Sequence, residues 1–207
     1  MHILSAPWHA IAALSGRIDL SSLTDTPLNA ESAIRGGTIT ARQRTFMEKR
    51  PPLPSPQPFL RLIDRGFPQR LKELPFAPGV LFYLGNINLL NEACVAIVGA
   101  RKCSGKGRRF AHQLATDLTQ TGTVTVSGLA YGIDQAVHWA NPSRTIAVLG
   151  QGIQSSLNGS KHRLVKRILD ANGLILSEFL PSQTPQKWTF PQRNRVVCGV
   201  SLGTVVV

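Results

Sequence analysis

The sequence predicts an α/β fold: a mostly parallel sheet with helices on both faces, preceded by a small helical N-terminal region. Five apolar runs, CVAIVG, TVTVSG, TIAVLG, GLILSE and GTVVV, follow one another from Cys94 onward, each of strand length and mainly apolar, as strands buried on both faces read. The segments between them carry apolar residues at helical spacing, and that alternation builds a parallel sheet. A proline-rich stretch, PPLPSPQP, separates this periodic region from a first part that lacks it.

Residues 1–50 mix short apolar patches around Ile11, Leu14, Leu20 and Leu23 with Ser, Thr and a basic ending, which predicts a few short helices. The segment 51–58 reads as a linker, because each proline removes a backbone donor and disfavours helix in the residue before it. The main domain then runs over 59–207. Leu71 and Leu74 predict a short helix, and Val80 to Leu84 a strand beyond a Pro/Gly turn. In the first crossover Phe110, Leu114 and Leu118 fall at i, i+4 and i+8 and predict one stripe toward the sheet, ended by Gly122. In a later one Leu164, Val165, Ile168 and Leu169 face inward, while Lys161, Arg163, Lys166 and Arg167 stay outside. The closing GTVVV reads as a buried strand, so the domain is expected to be C-terminally incomplete.

The formal net charge is +12 over 207 residues. Such an excess favours polyanionic partners, nucleic acid or an anionic membrane surface, over ordinary metabolites. The three cysteines are far apart and form no CxxC pair, which argues against a zinc site or a disulfide framework and for a reducing, cytoplasmic setting. No apolar run approaches the roughly 20 residues of a membrane span, and no membrane partner is expected.

The stretch VAIVGARKCSGKGRR, Val95 to Arg109, has the character of a phosphate cradle. It does not match the Walker pattern: the spacing from Gly99 to Gly105 is one residue too long, and Gly107 stands where a metal-binding hydroxyl is needed. The dinucleotide pattern is incomplete too, since Ser155 replaces the last glycine after Gly150 and Gly152. What the pattern does predict is that strand ends at Gly99, at Ser127 and Gly128, and at Gly150 and Gly152 lie side by side at the carboxyl edge of the sheet. Ligands of open α/β sheets bind there. Helix N-termini meet that edge, and their amides with Arg101, Lys102 and Lys106 form an anion site. Arg109, further along the same helix, is expected to sit away from the pocket.

The succession VAIVGARKCSGKG, SGLAYGIDQAVH, TIAVLGQGI, GLILSEF and FPQRNRVVCGVS resembles the DNA-processing protein A family (DprA/Smf) in every core motif and in order, and Phe59 to Leu90 is similar to its lead-in. The resemblance implies a Rossmann-like domain that binds single-stranded DNA without sequence preference, takes part in natural transformation and loads the RecA recombinase. It implies no catalytic residue, cofactor or metal. Gly99 and Arg101 stand at the family's Gly-Ser-Arg position, with Ala100 in place of serine, which makes Arg101 the leading phosphate ligand. Ser127, Gly128, Gly132, Asp134 and His138 fall around the same edge. Asp134 is expected to cap the loop or to pair with a nearby arginine such as Arg195. Arg193, Asn194 and Arg195 follow a turn before a helix, where two guanidiniums can fork onto phosphates or carboxylates, one of them in a structural role. Phe190 or Trp188 can offer a face to a base.

Two departures stand out. The family's Tyr-Pro-x-x-Asn loop is replaced by Leu157 to Lys161, leaving Lys161 either a partial substitute for missing basic residues or an unrelated surface charge. The segment after His138 is also short, so the helix there is expected to be clipped. Besides the DNA-binding reading, two others stay open: a Rossmann-like nucleotide phosphoribohydrolase, whose Pro-Gly-Gly-x-Gly-Thr loop is absent, and a truncated remnant without function. A homodimer is left open.

Overall fold

The computed structural model describes residues 57–207. The helical region expected over 1–50 and all but the last two residues of the linker lie outside the described residues. The remainder is a seven-stranded sheet, in chain order β1 (Phe59–Arg61), β2 (Val80–Gly85), β3 (Cys94–Val98), β4 (Val124–Ser127), β5 (Thr145–Val148), β6 (Leu174–Ser177) and β7 (Gly203–Val206). Spatially the order is β1-β2-β6-β5-β4-β3-β7. The block from β6 to β7 is parallel, while β1 and β2 are added antiparallel at one side.

Five helices connect and cover the strands: α1 (Gln69–Lys72), α2 (Gly105–Gln120), α3 (Ile133–Ala140), α4 (Gly159–Asp170) and α5 (Thr189–Gly199). The strands explain the layering through their two-residue period. Ala96, Val126, Ile146, Val148, Leu174 and Leu176 join Leu71, Val196 and Val197 in a core on the α1/α5 face. Their alternates turn the other way, Ile97 onto α2 and α3, and Ala147 and Ile175 onto α4. Each such fully buried Ile or Leu contributes about 1.5–3 kcal/mol over an exposed one. Among the described residues no helix is long and apolar enough to cross a membrane.

Three expectations are corrected. The inward row of α2 is Ala111, Ala115 and Thr119; Leu114 and Leu118 only flank it, and Phe110 is 57% exposed. Small side chains let α2 approach α3 and β3 closely, and the bulky stripe is rotated aside. The segment Phe190 to Arg195 is not a turn before a helix but lies inside α5. Finally, β7 is no buried strand: it sits at the sheet margin beside β3, and its four residues are exposed. The helix after Gly132 is short, as expected, stopping at Ala140 before a single 3-10 turn, Pro142–Arg144.

Candidate nucleic-acid interface

Strands β3, β4 and β5 are neighbours in the sheet and end together. Gly99, Ser127 with Gly128, and Gly150 with Gly152 therefore form one carboxyl edge, as the sequence predicts. The first helix to reach it, α2, begins at Ser104, whose hydroxyl accepts the Gly107 amide at 3.0 Å. No acidic residue occupies the first turn of α2 or of α4, so the positive ends of both helix dipoles are left uncompensated.

Around these ends stands a rim of cations. Arg101, Lys102 and Lys106 are exposed on the loop and first turn that follow β3. Lys161 enters from the first turn of α4 and is half-buried, with its Nζ 5.0 Å from the centroid of the Tyr131 ring. The Arg101 guanidinium lies 5.2 Å over the Phe190 ring. Burial, and then the charges of Arg101 and Arg193, push the Lys161 ammonium below its ordinary pKa, with Asp134 acting in the opposite sense. An anion arriving at the rim relieves that repulsion. Lys161 thus stands close to Arg101 and Arg193 at this edge. Tyr131 was missed in the sequence. The only available signal was an aromatic side chain inside the glycine loop SGLAYG.

Beneath the rim lies a floor of buried polar groups that hold the loops. Asp134 accepts the amides of Gly128 and Ala130, each at 3.2 Å, which fixes the loop between β4 and α3. Leu129, between those two amides, has φ of 56°, a left-handed conformation that a non-glycine residue keeps only where its surroundings impose it. Burial nevertheless raises the Asp134 pKa, against the two backbone amides and the nearby Arg193 charge. Gly132, with φ of 82°, lets this loop pass against the carbonyls of Ala100 and Arg101, tying it to the Arg101 loop.

Several residues placed at the phosphate in the sequence belong to this floor. The Ser127 hydroxyl is buried and donates to the Ile97 carbonyl at 2.7 Å. Arg193, only 3% exposed, donates to the Val148 carbonyl, and its guanidinium fills the space where a side chain on Gly128 would sit. Burial lowers its pKa to about 10, so it remains a cation at neutral pH. Arg195 pairs with buried Glu178 and not with Asp134; the guanidinium that acts on Asp134 is that of Arg193. Asn194 is exposed on α5. Gly99 packs against Ile133 and the Val207 carbonyl, Gly150 against the Phe190 ring, and Gly152 against the backbone of Leu180 and Pro181. Trp188 is exposed and meets Phe179 edge to face at 5.8 Å, while Phe190 lies under the Arg101 guanidinium.

His138 is fully buried on α3, its Nδ1 2.8 Å from the Thr145 hydroxyl. Burial, and then the Arg193 charge, lower its pKa to about 3. It is neutral at physiological pH. With Ser127 turned inward and Asp134 engaged by amides, these three groups form no accessible nucleophile and base.

The DNA recombination-mediator protein A family matches residues 58–207. Similar proteins include DNA processing protein DprA of Streptococcus pneumoniae, 39% identical over 72% of this chain and 53% of its own length. Protein Smf of Synechocystis is 37% identical over 72% of this chain and 39% of its own. The chain spans about half the length, or less, of the curated relatives it matches. Among solved structures, DNA processing protein A from Streptococcus pneumoniae superimposes with a TM-score of 0.68 at 36% identity, covering 78% of this chain and 56% of that one. DNA processing protein A from Helicobacter pylori, solved for its single-stranded DNA binding mode, superimposes with a TM-score of 0.63 at 30% identity, covering 72% of this chain and 67% of that one.

Proposed function

Because the chain belongs to the DNA recombination-mediator protein A family, we propose that it binds single-stranded DNA at the carboxyl edge of its sheet, without sequence preference, in DNA processing and natural transformation. The observation that carries this reading is the rim itself. Four cations, Arg101, Lys102, Lys106 and Lys161, stand beside two helix N-termini that have no acid in the first turn, and two aromatic rings lie among them.

Phosphates are neutralised by the cations and the helix ends. Bases stack on Phe190 and Tyr131, a contact open to any base because each has a π-face. Arg101 joins the two modes, since its guanidinium already rests on Phe190 and leaves its donors for a phosphate. The floor supplies no ligand but holds the rim in place: Asp134, Arg193 and Ser127 fix the loops through backbone groups. We assign the chain a binding role and no catalytic one, a cytoplasmic location, and RecA as the partner that receives the bound strand. A homodimer is compatible with this scheme.

Fluorescence anisotropy with a labelled oligothymidine and with the matching duplex tests the proposal. Tighter binding of the single strand is expected, because a pocket at a sheet edge admits an unpaired strand and presents no helix to the major groove. Equal or stronger duplex binding contradicts it.

A further inference from the structure

Away from the rim, a groove of about 570 Å³ lies between the C-terminal end of α3 and the outer face of α4, lined by Trp139, Arg163, Lys166, Arg167 and Asp170 together with the Pro142 turn. Nothing in the binding scheme above uses it. Trp139 is 38% exposed at its wall, and the Arg167 guanidinium sits 5.2 Å over its ring. Lys166 is neutralised by Asp170 at 2.7 Å, but among the described residues neither Arg163 nor Arg167 has an acidic partner.

The groove continues the rim. Lys161 over Tyr131 stands at the carboxyl edge; beside Lys161 at the start of α4, the Ser160 hydroxyl accepts from Gln135 of α3 at 3.3 Å; one turn beyond Gln135 on α3 and two turns beyond Ser160 on α4, Arg167 lies over Trp139. Gln135 and Trp139 are four apart on α3, and Ser160, Arg163 and Arg167 fall at i, i+3 and i+7 on α4, so each set shares one helix face. A cation over an aromatic ring therefore recurs at both ends of a seam about the length of α3, roughly 12 Å.

We propose that this seam is a second segment of the single-strand path: DNA held at the rim leaves it between α3 and α4, with a base against Trp139 and phosphates against Arg163 and Arg167. The inference rests on the single-strand reading above and adds to it a direction and a longer footprint. A cationic seam with exposed rings suits a strand that offers phosphates and unpaired bases alternately.

The test uses the full chain and two labelled oligothymidines, one of about 6 nucleotides, enough for the rim, and one of about 20. Trp139→Ala and the double variant Arg163→Gln with Arg167→Gln are expected to weaken the long oligonucleotide roughly tenfold and to leave the short one unchanged. Arg65→Glu, exposed beside Leu90 and Leu202, controls for net charge, and circular-dichroism melting confirms that each variant is folded. Trp139→Phe, which keeps a ring, is expected to restore most of the loss seen with Ala. Long-oligonucleotide affinity equal to that of the Arg65→Glu control in both groove variants overturns the proposal while the rim reading survives. A wild-type chain that binds neither length, or an Arg101→Glu variant that binds both normally, overturns the rim reading and this proposal with it.

Discussion

At the scale of single residues, the site separates side chains that touch solvent from side chains that hold those in place. Arg101 is of the first kind, and Arg101→Glu is expected to weaken binding of every sequence alike, severely and with the fold intact, because its guanidinium rests on the rim and not in the core. The sequence suggests Arg109 as a charge-matched control, but its guanidinium folds back to within 3.5 Å of where a side chain on Gly105 would begin, at the start of α2. Arg65→Glu replaces it, and equal losses in anisotropy for Arg101→Glu and Arg65→Glu would show that the attraction is diffuse. Gly128 is of the second kind. A methyl group there collides with the Arg193 guanidinium, so Gly128→Ala is expected to cost about 1–3 kcal/mol, read as a lower urea midpoint. His138 supplies a pH signature. Its folded pKa is about 3 against the ordinary 6.5, so between those values the unfolded chain binds the extra proton, and stability falls as the pH drops from 6.5 toward 3. Asp134, with its pKa raised, contributes in the opposite sense. The comparison that isolates the histidine is urea unfolding of wild type and His138→Gln across this range, where the variant's stability is expected to decline less. Parallel decline of the two proteins would mean that the buried imidazole does not govern it.

At the scale of elements, the clearest lever is the start of α2. The Ser104 hydroxyl caps the Gly107 amide, and Ser104→Ala is expected to remove about 1 kcal/mol of stability, measured by thermal melting. A melt unchanged by the substitution would show that the helix end is held from elsewhere. The strands and their shared carboxyl edge were legible in the sequence because two-sided burial demands continuous apolar runs, and a run such as CVAIVG followed by glycine and basic residues has few other uses. Helix α4 was legible as well: Leu164 and Ile168 are buried as its spacing predicts. Other features depend on tertiary distances that spacing does not carry. Phe110 is apolar yet exposed because the close approach of α2 requires alanines on the inner row. Arg193 and Arg195 lie in a polar motif, and only the fold reveals that one reaches inward to a strand carbonyl and the other is matched to a buried glutamate. Tyr131 becomes part of the site only because Lys161, thirty residues later in the chain, returns to its ring.

At the scale of the whole molecule, the net charge of +12 attracts any polyanion, so affinity alone cannot separate a site from a field. The dependence of affinity on salt can. Each phosphate neutralised on a single strand releases counterions and contributes about −0.7 to the slope of log K against log salt. If each of the four rim cations takes one phosphate, an oligothymidine long enough only for the rim should titrate with a slope of about −3. Arg101→Glu should make that slope shallower as well as lowering the affinity, because it deletes a contact. A remote change such as Arg65→Glu alters the field but leaves the count of neutralised phosphates unchanged, so its line should run parallel to that of the wild type. The measurement is an anisotropy titration of the three proteins at several salt concentrations. A slope near zero would show that the edge holds no polyanion. Parallel lines for all three proteins, displaced only in affinity, would show that Arg101 contributes charge to the surroundings without gripping a phosphate.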